Sequence, residues 1–203
     1  AIGHNALTAC TTGVNNTAVG RNSLATLTTS SENTAVGNMT MQASTTAVNC
    51  TAVGSNSLYT NTTGSQNTAL GQTALYANTT GSNNTAVGYA ALDANTTGSE
   101  NTAVGTHALS ANTTGYQNVA MGRFAGNLIT TSYESVAIGY RSLSQCTTGN
   151  HNTAIGHDAL EQVSDGSYNT GLGRDAGRSI TTGAANVCLG NNAADADNHT
   201  GVV

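Results

Sequence analysis

Asn84–Glu100 reads NTAVGYAALDANTTGSE. The same frame runs along the whole chain without insertion or deletion. A glycine stands at every seventeenth residue from Gly3 to Gly190, each preceded by an aliphatic residue such as Ile2, Val19, Leu70, Met121 or Ile155. A domain with loops of varying length keeps no such period. A solenoid does, because one extra residue in a coil breaks its stacking on the coils above and below. Complete units begin at 16, 33, 50, 67, 84, 101, 118, 135, 152, 169 and 186, and residues 1–15 match unit positions 3 to 17. The chain reads as a single solenoid array over residues 1–203, about twelve coils long. Its opening in mid-repeat is read as that of a segment from a longer polypeptide.

Position 1 of the unit is Asn except at Cys50 and Ser135, and position 2 is Thr except at Val119, Val136 and Val187. Position 3 is always small, with Gly171 and Cys188 the departures from Ala. Position 4 is the aliphatic residue and position 5 the glycine. In a strand, positions 2 and 4 share one face and positions 1, 3 and 5 the other. The exchange of Thr for Val at position 2 suggests that the 2/4 face lies inside. The tiny Ala/Gly face then lies outside, with room for the close approach of another backbone.

Position 9 is Leu in eight of twelve units, and positions 12 to 15 read NTTG in the units from 50–66 through 101–117. Thr-Thr-Gly suggests an extended piece closed by a turn glycine at positive φ. Positions 6 to 12 are open to two readings: a second strand after a turn, or a short helical turn, which is marginal at this length. Positions 6, 7, 10, 16 and 17 vary freely and mark exposed corners. The expected fold is an all-β parallel β-solenoid or β-roll with 17-residue coils. With strands stacked about 4.8 Å apart, twelve coils make a rod of roughly 55–60 Å.

Charged residues make up 7% of the chain and the net charge is −5, with no Pro, no Trp and one Phe. The five arginines, Arg21, Arg123, Arg141, Arg174 and Arg178, are dispersed, so no basic footprint for nucleic acid is present. No apolar run approaches the roughly 20 residues that span a bilayer. Low hydrophobicity joined to strict spacing and low charge argues for order rather than disorder. Two sizeable apolar side chains per coil make a thin core, so lengthwise association of identical chains is expected, with a trimer as the favoured count.

The run NTAVG-xx-AL resembles the head repeats of trimeric autotransporter adhesins, whose units read approximately S-V-A-I-G-x-x-A-x-A-x-G-x-x. SVAIG stands at Ser135–Gly139 and NTAIG at Asn152–Gly156. With its NTTG element the repeat is still more similar to those in the shafts of bacteriophage tail fibres and related virion fibre proteins. The adhesin unit is usually fourteen residues, and here three more lie between positions 8 and 15. The resemblance covers essentially the whole chain and implies a trimeric, extracellular or virion-borne β-roll concerned with surface attachment. It carries no catalytic residue. The expected role is a structural shaft that projects a receptor-binding end.

A binding module or adhesin that contacts host glycan or protein through its coil corners is the alternative. The surface-contact candidates are Tyr89, His107, Tyr116, Arg123, Phe124, Tyr140 and Arg141, where aromatic and charged corners thicken. The Thr-Thr column at positions 13 and 14 raises ice binding as a minor alternative, although adjacent strand residues point opposite ways and only one column faces outward. No enzyme, cofactor or metal site is expected: no nucleophile elbow or phosphate loop is present. The nearest metal-like set is His151, His157 and Asp158 on exposed corners, while Asp195, Asp197 and His199 read as degenerate terminal repeat. Cys10, Cys50, Cys146 and Cys188 read as small residues at semi-buried sites. Cys10 and Cys146 share position 12 but lie eight coils apart, about 38 Å, far beyond the reach of about 7 Å for a disulfide. Pairing of equivalent cysteines between chains is the other reading. Asn61, Asn78, Asn95 and Asn112 head N-x-T sequons, read as turn-forming asparagines or as a row of glycan acceptors.

Overall fold

The computed structural model describes residues 1–194; Asp195, Asp197 and His199 lie outside them. Eleven strands of three residues each, from β1 (Thr17–Val19) to β11 (Val187–Leu189), form one parallel sheet in sequence order. Every strand pairs with the next at a shift of seventeen, as in Thr85↔Thr102, Ala86↔Ala103 and Val87↔Val104. The chain is a parallel β-solenoid with one strand per coil. No helix occurs among the described residues, so none is long and apolar enough to cross a membrane. Positions 6 to 11 are a turn rather than a helical turn, and no second three-residue strand follows. The return passage at position 13 is bonded between coils instead, as in Thr79 N–H to Thr96 O at 2.9 Å.

The sheet faces are the reverse of the expectation drawn from apolarity. Position 3 is fully buried from Ala18 to Ala154, while positions 2 and 4 point outward along the rod. The cause is space. Leu at position 9 reaches across the coil from the turn, and Leu24, Leu58, Leu75, Leu92, Leu109, Leu143 and Leu160 are all 0% exposed. A Cβ built on Gly171 lies 2.8 Å from Leu160 Cγ, so the strand that faces these leucines has room for Ala and little more. Where position 9 is Gly126 or Gly177, position 12 becomes Ile129 or Ile180 and fills the same space.

The turn depends on left-handed backbone at positions 7 and 9, for example His107 (φ 56), Leu109 (φ 51), Phe124 (φ 60) and Leu143 (φ 51). A non-glycine residue at positive φ is uncommon. Here the alternation turns successive N–H groups toward opposite neighbours: His107 donates to Tyr89 O of the preceding coil and Leu109 to Ala125 O of the following one, both at 3.0 Å. The bonds gained offset the strain. The Gly at position 15 is not at positive φ as expected; it is held small by contact with the next coil and with the Asn of position 12.

The rest of the interior is polar. Position 1 asparagines form a ladder in which each Oδ1 accepts the next coil's N–H, as from Asn101 to Asn84 at 3.0 Å and from Asn118 to Asn101 at 3.0 Å. Position 12 carries a second ladder, with Asn78, Asn95 and Asn112 donating to the Oδ1 of the residue seventeen before at 2.7, 2.8 and 2.7 Å. The two ladders meet on the position 15 carbonyl, since Gly98 O accepts from both Asn84 and Asn95 at 2.9 Å. Buried amides are tolerable here because nearly all are partnered; Asn112 Oδ1, which meets Ile129 where the next asparagine would stand, and Asn186 Oδ1 have no partner among the described residues. Asn61, Asn78, Asn95 and Asn112 are 0% exposed, so the folded chain presents none of these sequons to a glycosyltransferase.

Cys50 interrupts the first ladder, offering only a sulfur, a weak acceptor, toward Asn67. Cys50→Asn should restore the amide and raise stability by about 1 kcal/mol in urea denaturation; a loss of stability would show that the ladder does not govern this position.

Candidate functional site

Three side-chain columns distinguish the surface. The first is the outward face of the sheet. Position 2 supplies Thr or Val and position 4 supplies Val, Leu, Ile or Met in all eleven strands, so no charge interrupts it. Several of its aliphatic residues are markedly exposed, among them Leu70, Met121, Leu172 and Leu189.

The second column runs along the corner of positions 6 and 7. Tyr89, His107, Phe124, Tyr140 and His157 follow one another with ring centres 5.2, 5.5, 6.5 and 5.1 Å apart. Stacked coils place these rings at about the strand spacing, and His107 lies nearly parallel to Phe124. The Arg123 guanidinium sits 4.4 Å from the Phe124 ring centre, a cation–π contact. Of the seven candidate contact residues, the fold brings six to this corner: Tyr89, His107, Arg123, Phe124, Tyr140 and Arg141.

Tyr116 stands apart, on the corner of positions 16 and 17. It stacks on Tyr133 at 5.0 Å, and the column continues through His151 to Tyr168 at 5.1 and 4.7 Å. Tyr133, His151 and Tyr168 were not among the expected contact residues, nor was the stacked pair Tyr59 and Tyr76 at position 10. Their shared position numbers were the available signal.

Arg141 is drawn inward. It pairs with Glu161, which is 1% exposed, and its Nε lies 4.0 Å from Asp158. Arg178 bonds the other Glu161 oxygen at 2.8 Å and lies 3.6 Å from Asp175, while Arg174 pairs with Asp175 at 3.0 Å. The Glu161 hydrogen bond and charge push the Arg178 guanidinium further up. Asp158 and Asp175 are buried, not exposed corners. Potential ligand atoms of His157, Asp158 and Asp175 lie within 4.8 Å of one another, whereas His151 belongs to the other aromatic column. Three carboxylates face three arginines here in an ion-pair network, within which Asp158 Oδ1 and Asp175 Oδ1 are buried without a hydrogen bond.

The position 13 hydroxyls are spent along the rod, with Thr62, Thr79, Thr96, Thr113 and Thr130 each donating to the next coil's carbonyl at 3.0 to 3.1 Å. Position 14 is the more exposed of the two, although position 13 is half-buried in most coils and exposed at Thr11, Thr28, Thr45 and Thr181. All four cysteines are free thiols, and Cys50, Cys146 and Cys188 are buried inside the coil, out of reach of another chain. Burial pushes the Cys146 thiol up to about 11 and raises those of Cys50 and Cys188. Native alkylation at pH 8 should therefore leave Cys50 and Cys146 unmodified while half-buried Cys10 reacts first, as read by peptide mass spectrometry. Equal labelling of Cys146 and Cys10 would show that the coil opens. No family model matches the chain, and no curated protein and no solved structure matches it.

Proposed function

We propose that the chain is a shaft segment of an extracellular or virion fibre, in which parallel copies, three in the simplest arrangement, pack lengthwise and carry a receptor-binding end. The outward sheet face supports this reading most strongly. Ten steps of about 4.8 Å and a three-residue width of about 10 Å make a flat surface of roughly 500 Å². About half of it is the aliphatic row of position 4 and the rest is mostly Thr, so what sets it apart from the apolar patches a monomer commonly exposes is its length and freedom from charge rather than its apolar area. The 17-residue register repeats this surface in every coil, and an interface on it gains area with every added coil. The face for association is thus the Thr/aliphatic one, not the Ala/Gly one that the pattern suggested.

Sedimentation equilibrium tests the reading. The chain should associate at tens of micromolar, and Val87→Lys with Val104→Lys should give a folded monomer, because two desolvated charges oppose packing at the centre of the face. A folded wild-type monomer at that concentration would refute the shaft. Ice binding through the outward threonine column of position 14 (Thr63, Thr80, Thr97 and Thr114) is the other reading, and thermal hysteresis of the wild-type monomer would identify it.

A further inference from the structure

Between the turns of coils 118–134 and 135–151 lies an open groove of about 340 Å³, lined by Phe124, Asn127, Leu128, Arg141, Ser144 and Gln145. These are positions 7, 10 and 11 of two stacked coils. Position 10 is short here, Asn127 and Ser144, as it is at Ala25 and Ser110, whereas Tyr59, Tyr76, Glu161 and Arg178 fill the same place in other coils. The groove comes from this short position beside a longer position 11. Position 11 raises an outer wall with Leu128 and Gln145 where Ala77, Ala94 and Ala111 stand in other coils.

The polar groups at the groove are largely unspent. Asn127 Oδ1 accepts from Ser110 Oγ at 2.7 Å, which orients the amide and leaves its NH2 without a partner among the described residues. The Ser144 hydroxyl and the Gln145 amide make no hydrogen bond there either. Arg141 is clamped by buried Glu161 through one terminal nitrogen, and a guanidinium has five N–H donors, so the other terminal nitrogen remains available in a fixed place. Arg123 does not line the groove, but it sits over the ring of Phe124, which does, and has no ion pair among the described residues, so it adds positive charge nearby. Phe124 and Leu128 supply apolar walls. A small-ligand site combines such walls with a few convergent polar groups, in volumes from about 300 Å³ upward.

We propose that this groove binds a carboxylate-bearing sugar unit of a surface glycan. Donors outnumber acceptors, so the complement is an acceptor-rich ligand; the ring and hydroxyls of a sugar acid match the walls, Ser144 and Gln145. The carboxylate pairs with Arg141 and the Asn127 amide, and charge-assisted bonds of this kind are about twice as strong as neutral ones. Little ordering is needed on binding because Glu161 and Ser110 already hold the two principal donors. The groove lies on the turn, away from the sheet face, so the inference stands whether or not copies pack along that face.

Calorimetry and saturation-transfer NMR with the methyl glycosides of glucuronic, galacturonic and N-acetylneuraminic acids, and with methyl glucoside, test it. At least one acid should bind about tenfold or more tighter than the glucoside, and its affinity should fall as salt is raised. Arg123→Ala and Gln145→Ala should each weaken it severalfold. Leu128→Trp, which fills the groove from an exposed position, should abolish binding with circular dichroism and melting temperature unchanged. Equal affinity for acid and glucoside, no binding of any acid at about 10 mM, or acid binding that survives Leu128→Trp in the folded protein would each overturn the proposal. Sedimentation of the same preparation reports separately on the shaft.

Discussion

Gly105→Ala should remove about 2–6 kcal/mol of stability, a large fraction of what a domain has to lose. Two costs add. Gly105 has φ +136, where an L side chain costs about 1–3 kcal/mol. The added Cβ would also lie 2.6 Å from Gly122 O and 2.7 Å from Gly122 C. Those atoms are backbone of the next coil, so relief requires two coils to part, at an overpacking cost of about 1–3 kcal/mol. Gly190 separates the terms: it has φ +111, but a Cβ there meets nothing within 4 Å. Gly190→Ala should therefore show the strain alone. Each strand contacts only its sequence neighbours, so the damage in Gly105→Ala should stay local, and hydrogen exchange should rise first across residues 101–134. Equal losses for the two variants would remove stacking contact as the reason for the glycine.

That contact explains why the period was legible. One glycine in seventeen cannot change without displacing the next, so the stacking rule is written in every unit and gives the coil length, the parallel sheet and its register. The inside of the sheet was not legible in the same way. Alternation groups positions 2 and 4 together but does not say which side they take, and Val and Thr-to-Val exchanges pointed inward. The decision belongs to Leu92 and its equivalents, which enter the coil from a turn whose left-handed residues are Ala90, Leu92, His107 and Phe124 rather than glycines. Position 7 did carry a signal, since it is Asn, Asp or His in seven of twelve units, from Asn5 to Asn192, types enriched at positive φ; the leucines of position 9 announce nothing of the kind. The surface shows the same division. Membership of a column follows from position number, so the 6/7 corner was visible in Tyr89, Phe124 and Arg141. The groove depends on short Asn127 and Ser144 beside long Leu128 and Gln145, a conjunction across two coils that no single position signals.

The reversed sheet makes a sharp demand on two adjacent residues. Ala103→Leu should destabilise the protein by about 3 kcal/mol or more, whereas Val104→Lys should change monomer stability by about 1 kcal/mol at most. Ala103 is 0% exposed in a row with Ala86 and Ala120, and the core around it includes Leu92 and Leu109, themselves 0% exposed. Three more carbons there have no cavity to enter, and overpacking a tight core costs about 1–3 kcal/mol even where neighbours can yield. Neighbouring coils repeat the same packing, so each obvious direction of escape is occupied. Val104 is half-buried on the outward face between Val87 and Met121. Lys at that position keeps its ammonium in water and loses only part of a lateral contact and some strand propensity, which spans about 1 kcal/mol. If positions 2 and 4 were the interior, the order would invert, since a lysine would then be buried unpaired and a leucine would project outward. Urea denaturation of the two variants below the association threshold therefore decides which side of the strand is the core, and with it which side is free to meet another chain.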